Sequence, residues 1–464
     1  MFRKHALAPQ EGRTFSNKAL IALILPLIAE QLLAVMVGMA DTAMVSGVGE
    51  SAVAAVSTVD SLNVMFIQLF AAMSAGGAVV SAQYLGKGDK QSACRAAKQL
   101  MQGTVAIAVA LALGIVIFHK QLMGLMDNGN DPAILSQSYT YLIITAISYP
   151  FLGIYNGGVG LLRAMGDSKT SMKTSILMNI INIVGNAIMI HPCGMGVAGA
   201  GTATLLSRIV SALVIMRVMY RQSMPIHLES MRGVKTWKGI REYFRFDFSM
   251  LRRIFKVGIP SGLENSLFQL GRVLIMSVVT TFSTPVRAAN AVCNSITGLV
   301  ITPGAAVSLA AVAVIGQLIG ADKKEEARHY GKKLLAIQYS VTLLATSIVF
   351  IFAEPFVRLF SLSEEAVPVA VEIMRVYAIM AAALWPSSFG LPNVLRAAGD
   401  VKFTMKVSIL SMALLRLGAC YLLVYVFKMS LMGVWVAMYM DWVARSSFFV
   451  ARFISGKWLH KKVI

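Results

Sequence analysis

The chain contains one loop sequence twice, once in each half. Residues 163–167 read Arg-Ala-Met-Gly-Asp, and residues 396–400, which lie 233 positions further on, read Arg-Ala-Ala-Gly-Asp. Both copies lie between two long apolar segments, and both are followed by the pattern Met-Lys-x-Ser-Ile-Leu. Self-similarity at half the chain length indicates an internal duplication. Duplicated membrane helices are typical of transport proteins, so the duplication already favours transport over other membrane functions.

Composition places the chain in a membrane. Hydrophobic residues make up 57% of the sequence and charged residues 14%, whereas roughly 25% of the residues in a soluble domain are charged. The mean hydropathy is +0.69. The net charge of +20 is concentrated in short loops between apolar segments, as in cytoplasmic membrane loops. No aromatic-basic patch accompanies it, so we expect no nucleic-acid partner.

Apolar segments recur at the length that a helix needs to cross a bilayer, roughly 20 residues. Their continuity favours helices over the alternating strands of a barrel. We therefore predict an all-α polytopic membrane protein with about twelve transmembrane helices. The predicted spans are 19–45, 53–80, 99–118, 137–160, 172–192, 198–219, 257–281, 287–316, 334–353, 366–391, 405–426 and 431–451.

The duplication also predicts the domain organisation. Pro26-x-x-x-Glu30 in the first span returns as Pro260-x-x-x-Glu264 in the seventh. Six spans per half give both copies the same orientation, so we expect two six-helix bundles related by a pseudo-twofold axis, with a central cavity. The predicted division is a cytoplasmic segment 1–18, a bundle 19–219, a cytoplasmic linker 220–256, a bundle 257–451 and a cytoplasmic tail 452–464.

Lysine and arginine are concentrated in alternate loops, which predicts the orientation. Both termini and the loop that contains Lys235 should be cytoplasmic, and Asn128 should lie outside. We expect a multi-pass protein of the plasma (inner) membrane.

An ionisable residue inside a membrane span usually has a partner or a function, because its burial is unfavourable. Asp41 lies near the outer end of the first span. The fifth span offers Asn179, Asn182 and Asn186, of which the last two share one face, and the sixth offers Thr202 and Thr204. Such hard oxygen ligands suit a sodium ion, or they can hydrogen-bond a carboxyl group that takes up a proton. The alternative is a polar cluster that only packs helices, as Asn and Thr often do in membranes.

The second half has lost these residues and acquired others. The repeat offset places Asp441 at the position of Thr204, and Glu264 and Arg272 appear on the seventh span. We predict that Glu264, with Asp441 and Arg272, contacts the substrate or exchanges a proton. The alternative is a structural ion pair of Glu264 with Arg272, Arg416 or Arg445.

The loops contain no Walker A, HExxH or GxSxG motif, so we expect no enzymatic activity and no cofactor other than a coupling ion.

These residues resemble the multidrug and toxic compound extrusion (MATE) family over nearly the whole chain. The resemblance rests on the first span, on the doubled loop at 163–167 and 396–400, on the Asn182 to Asn186 helix and on residues 258–264. It implies two six-helix bundles around a V-shaped cavity and antiport of an organic cation against sodium or protons. It also implies a cation site at Asp41, Asn182, Asn186 and Thr204, and a seventh-span acid at Glu264. The chain departs from many bacterial members at position 186, where they have Asp, and it lacks a tenth-span Asp.

We therefore predict a secondary antiporter that is a monomer, lies in the lipid bilayer and exports small organic cations in exchange for Na+ or H+. The alternative is a flippase of lipid-linked oligosaccharides or another anionic lipid from the same superfamily. That alternative needs a cationic cavity, which the intramembrane arginines could supply: Arg208, Arg272, Arg416 and Arg445.

Overall fold

The computed structural model describes residues 14–124, 132–229, 241 and 243–464, and the regular elements of these ranges are helices. The first half forms α1 (Asn17–Ser46), α2 (Glu50–Gly86), α3 (Lys90–Gly124), α4 (Pro132–Ile147), α5 (Tyr149–Ala164), α6 (Ser168–Ile190) and α7 (Gly196–Met219). The second half forms α8 (Phe248–Val279), α9 (Thr284–Gly320), α10 (Lys324–Ile351), α11 (Ala353–Arg358), α12 (Ala366–Trp385), α13 (Leu391–Ala398), α14 (Val401–Ser411), α15 (Ala419–Tyr421) and α16 (Leu431–Ile454).

Helices occupy all twelve predicted membrane segments. In the described ranges, nine helical segments are long and apolar enough to cross a bilayer, and α4 with α5 forms a tenth that bends by 46°. The bend falls at Ser148, just before Pro150, which has no backbone N–H to continue a helix. The other two predicted spans, α8 and α16, carry the charged residues Glu264 and Asp441. The prediction of an all-α polytopic membrane protein is confirmed.

The described residues form two compact units. The amino-terminal unit comprises Ala29–Gly262, and the carboxy-terminal unit comprises Leu263–Val463 together with the described residues up to Ile28. The division therefore runs through α1 and α8, close to Pro26 and Pro260. The predicted linker, 220–256, contains residues outside the described ranges, and Lys235 and Asn128 also lie outside them.

The doubled loop builds the same turn in both units. Gly166 has a φ of 81° and Gly399 a φ of 103°, a left-handed conformation that favours glycine. Each glycine N–H donates to the carbonyl three residues earlier, at 3.0 Å for Arg163 and 2.9 Å for Arg396. This is a common way to end a helix. Asp167 then caps α6 by accepting the backbone N–H three residues later at 3.1 Å.

The arginine of each turn forms an ion pair with the glutamate of the proline motif. In the amino-terminal unit, Arg163 Nη2 lies 2.6 Å from Glu30 Oε1, and the Ser171 hydroxyl donates to Glu30 Oε2 at 2.8 Å. In the carboxy-terminal unit, Arg396 Nη2 lies 2.5 Å from Glu264 Oε1. Both glutamates are buried. The two repeated motifs are therefore halves of one interaction, which fixes the first helix of each repeat to the turn that follows its fourth span.

The carboxy-terminal unit contains three π-helical segments, which widen the helix locally. They are Pro386–Gly390 between α12 and α13, Met412–Gly418 between α14 and α15, and Leu422–Val426 after α15. Such turns are rare and occur frequently at functional sites.

We predict that Glu30→Gln destabilises the protein by about 3 kcal/mol, because it leaves the Arg163 guanidinium without its buried counter-charge. Thermal unfolding of the purified protein in detergent measures this effect. Arg358→Gln is the control, since it breaks the exposed pair between Arg358 and Glu354 and should leave the melting temperature almost unchanged. Equal melting temperatures for wild type and Glu30→Gln would contradict the role of this pair.

Candidate ion and substrate sites

A stripe of asparagines runs along α6. Asn179, Asn182 and Asn186 recur at spacings of three and four, which places them on one helix face. All three are buried in the amino-terminal unit. Buried carboxamides need hydrogen-bond partners. We therefore expect polar groups of neighbouring helices to contact α6 along this face.

Asp41 of α1 and Thr204 of α7 meet this face. Asn186 Nδ2 donates to Asp41 Oδ1 at 2.8 Å. In the amide orientation that satisfies its neighbours, Asn182 donates to both Asp41 oxygens, at 2.8 and 3.0 Å, and accepts from the Thr204 hydroxyl at 3.2 Å. The four residues selected from the sequence are thus brought together around one half-buried carboxylate.

The donor set of this cluster fits a sodium ion or a proton. The Asn186 Oδ1 oxygen is buried and has no hydrogen-bond partner in the described part of the chain. Together with the Asp41 carboxylate and the Thr204 hydroxyl it offers the oxygen ligands that a hard cation prefers. The same N–H donors stabilise Asp41 as an anion, which is the form of the carboxylate that attracts a cation.

Two more polar residues, Thr202 of α7 and Asn179 of α6, differ in whether their side chains have hydrogen-bond partners. Thr202 donates to the Ala198 carbonyl of its own helix at 2.7 Å, so its hydroxyl is already engaged. Asn179 Nδ2 is buried without a partner among the described residues. The described residues include no group of three or more His, Cys, Asp or Glu that could bind a metal ion. A cation at the Asp41 cluster would therefore be bound by neutral oxygens beside one carboxylate.

A second polar network lies in the same unit, around Asp60 of α2. Asp60 Oδ1 accepts from Asn63 Nδ2 at 3.0 Å and from the Tyr141 hydroxyl at 3.4 Å. The Tyr149 hydroxyl donates to Asn63 Oδ1 at 2.6 Å. Asp60 lies inside the predicted span 53–80, but no sequence pattern selects the tyrosines, because aromatic residues in a span usually only pack.

Arg208, at the sixth-span position repeated as Arg445, also lies in this unit. Its Nη1 donates to the Ser148 hydroxyl at 2.6 Å, at the bend between α4 and α5. At the bend, the Ser148 hydroxyl therefore accepts a hydrogen bond from the Arg208 guanidinium group.

Glu264 does not stand as an isolated charge in an apolar wall. Besides Arg396 at 2.5 Å, Arg445 Nη2 lies 3.6 Å from Glu264 Oε1. Arg445 is one of the partners predicted for Glu264 from the sequence, whereas Arg396 of the doubled loop is not. Arg272 lies on an exposed face of α8, with Nη1 3.5 Å from Gln269 Oε1.

Asp441 is fully buried in α16, and its Oδ2 lies 3.7 Å from Arg416 Nη1. The carboxy-terminal unit thus replaces the oxygen cluster around Asp41 with paired carboxylates and arginines.

Known proteins share this architecture and its duplication. The sequence model of the MatE family matches residues 26–188 and again residues 260–422, which reproduces the duplication. The chain is 25% identical to "Uncharacterized transporter YisQ" of Bacillus subtilis, over 99% of this chain and 98% of that protein. It is 24% identical to "Probable multidrug resistance protein NorM" of Thermotoga maritima, over 98% of this chain and 96% of that protein.

Solved structures share the fold. An outward-facing multidrug resistance MATE transporter of the MOP superfamily superposes with a TM-score of 0.87 at 23% identity, covering 96% of this chain and 97% of that one. A MOP superfamily transporter from Pyrococcus furiosus, described as having a binding pocket of reversed polarity, gives a TM-score of 0.86 at the same identity and coverage.

The geometry predicts the effect of a second carboxylate in the Asp41 cluster. Asn186→Asp would place two carboxylates about 2.8 Å apart. Two such groups repel when both are ionised, so we expect a loss of stability on the order of 2 kcal/mol at neutral pH without sodium. Either sodium or acidic pH should restore it. Thermal unfolding with sodium, with potassium as the ionic-strength control, and across pH measures this. A variant that unfolds like the wild type under every condition would contradict the described geometry.

Proposed function

The chain belongs to the MatE family of membrane transporters, and from that premise we propose that it is a secondary active antiporter. It exports organic cations from the cytoplasm in exchange for sodium ions or protons, by alternating access. The relatives named as multidrug resistance proteins support this substrate class.

The observation that carries the proposal is the cluster around Asp41. A half-buried carboxylate held by two carboxamides and a hydroxyl has the chemistry of a reversible cation site. Burial in a membrane unit is unfavourable for such a group unless it has a function or a full set of partners. Here one carboxamide oxygen beside it lacks a partner in the described ranges, which leaves one acceptor available to a cation.

Coupling follows from the charge of Asp41. When a proton or a sodium ion neutralises the carboxylate, burying this group becomes less unfavourable. An ion therefore shifts the equilibrium between two conformations by its difference in affinity for them. A cationic substrate that also favours the ionised carboxylate then competes with the ion, and export is coupled to ion entry.

Glu264, Asp441 and Arg272 are proposed to affect which substrates bind rather than the coupling. Glu264 has an ion-pair partner in Arg396, but its Oε2 oxygen is buried and has no hydrogen-bond partner within the described residues. The corresponding oxygen of Glu30 is satisfied by Ser171. This difference between repeats supports a ligand role for Glu264 and a structural role for Glu30.

The flippase alternative is less well supported. A pyrophosphate carries several negative charges and needs as many uncompensated cations. Glu264 and Asp441 offset most of the charge of Arg396, Arg416 and Arg445, and Arg208 donates to Ser148. We further propose that the protein is a monomer of the plasma membrane with both termini in the cytoplasm.

The experiment is export of ethidium from proteoliposomes, with sodium and proton gradients imposed separately. We predict that Asp41→Asn retains the fold and lowers gradient-driven export by at least about 100-fold, because an amide cannot change charge with the ion. Glu364→Gln, which alters an exposed carboxylate, is the control.

Two results would contradict the proposal. The first is wild-type export that responds to neither gradient. The second is Asp41→Asn export at the wild-type rate with the same ion dependence.

A further inference from the structure

In the described part of the carboxy-terminal unit, arginines with mostly buried side chains outnumber the buried carboxylates. Arg396, Arg416 and Arg445 have side chains that are 19%, 13% and 3% exposed. In the described part of this unit, two buried carboxylates face them, Glu264 and Asp441, while a third, Asp400, pairs with Arg452. The group therefore carries an excess of positive charge. The exposed Arg272 adds a further positive charge, which repels Arg416.

The guanidinium groups of this cluster also have donors to spare. Nε of Arg396, Nε of Arg416, and both Nε and Nη1 of Arg445 are buried with no hydrogen-bond partner in the described ranges. The 3.7 Å between Arg416 and Asp441 is longer than a hydrogen bond. Buried donors without acceptors are strongly unfavourable. An added group with two anionic oxygens would give these donors acceptors, since planar guanidinium groups bind such groups in a bidentate manner. It would add to the unpaired oxygens of Asp441 and Glu264 in the same cluster.

Aromatic rings hold the two inner arginines in place. The Arg445 guanidinium lies 4.5 Å from the centre of the Phe389 ring, and that of Arg416 lies 5.2 Å from the centre of Phe268. Phe389 belongs to the π-helical segment Pro386–Gly390, and Arg416 belongs to Met412–Gly418. Two of the three irregular segments of this unit therefore contribute to the cluster.

We propose that the arginine cluster of the carboxy-terminal unit is a subsite for an anionic group, a carboxylate or a phosphate, on the exported molecule. This rests on the proposed export function and narrows its substrates to compounds that carry such a group together with a cationic one. The positive excess is suited to one such group, because the remaining arginine charge is already balanced by Glu264 and Asp441.

The test uses a matched pair of dyes, a rhodamine methyl ester and its free carboxylic acid, which differ in one anionic group. Binding to the purified protein is measured by fluorescence polarisation, and transport is measured in phosphatidylcholine proteoliposomes. The acid should bind about tenfold more tightly than the ester. Arg416→Gln should abolish this preference, Arg416→Lys should retain part of it, and the affinity for the ester should change little.

Two further variants keep the test decisive. Arg272→Gln alters an exposed residue, so it should fold even if Arg416→Gln does not, and it should reduce the preference for the acid. Arg287→Gln removes an exposed arginine of α9 that bonds Thr284, and it should leave the preference unchanged.

Two results would overturn the proposal. One is equal affinity of the wild type for the two dyes, and the other is an equal loss of affinity for both dyes in the Arg416 and Arg272 variants. Suppression of the acid preference by added phosphatidylglycerol would assign the cluster to a lipid headgroup and would overturn it as well. A retained preference for the acid with no gradient-driven transport of either dye would support the subsite and contradict the export function.

Discussion

The pairing of buried charges is the constraint on which the rest of this structure depends. Inside an apolar bundle a charged side chain is stable only with a partner, and the strongest example occurs twice. Glu30 with Arg163, and Glu264 with Arg396, tie the first helix of each repeat to the turn after its fourth span. The left-handed glycine of that turn positions the arginine. The duplicated motifs are therefore explained as one stabilising contact rather than as two separate sequence signals.

With that contact in both units, the remaining polar residues have diverged. The amino-terminal unit has Asp41 among carboxamides and a hydroxyl, with a second network at Asp60. The carboxy-terminal unit has arginines paired with Glu264 and Asp441, and helices interrupted by π turns. An oxygen-rich cluster suits a small cation, and an arginine-rich one suits an anionic group. The two halves thus differ most at the positions proposed to bind ligands.

Much of this organisation could be predicted from the sequence, because membrane helices need long apolar segments. The twelve segments and the duplication follow from hydropathy and from the repeated motifs, and the grouping of Asp41, Asn182, Asn186 and Thr204 follows from the family resemblance. The pairing of Glu30 with Arg163 and of Glu264 with Arg396 could not be predicted, since an arginine in a loop is interpreted as a cytoplasmic charge until the chain is folded. Tyr141 and the π turns were also missed, because a hydroxyl within reach of Asp60 and a widened helix leave no periodic signal.

The central claim is that the Asp41 carboxylate is where coupling ion and substrate compete. The most direct measurement is the affinity of the purified protein for ethidium, taken against sodium concentration at fixed pH and against pH at fixed sodium. Wild-type protein should bind the dye more weakly as the coupling ion increases, and Asp41→Asn should bind it with an affinity that no longer depends on either ion. The same ion dependence in both proteins would contradict the claim.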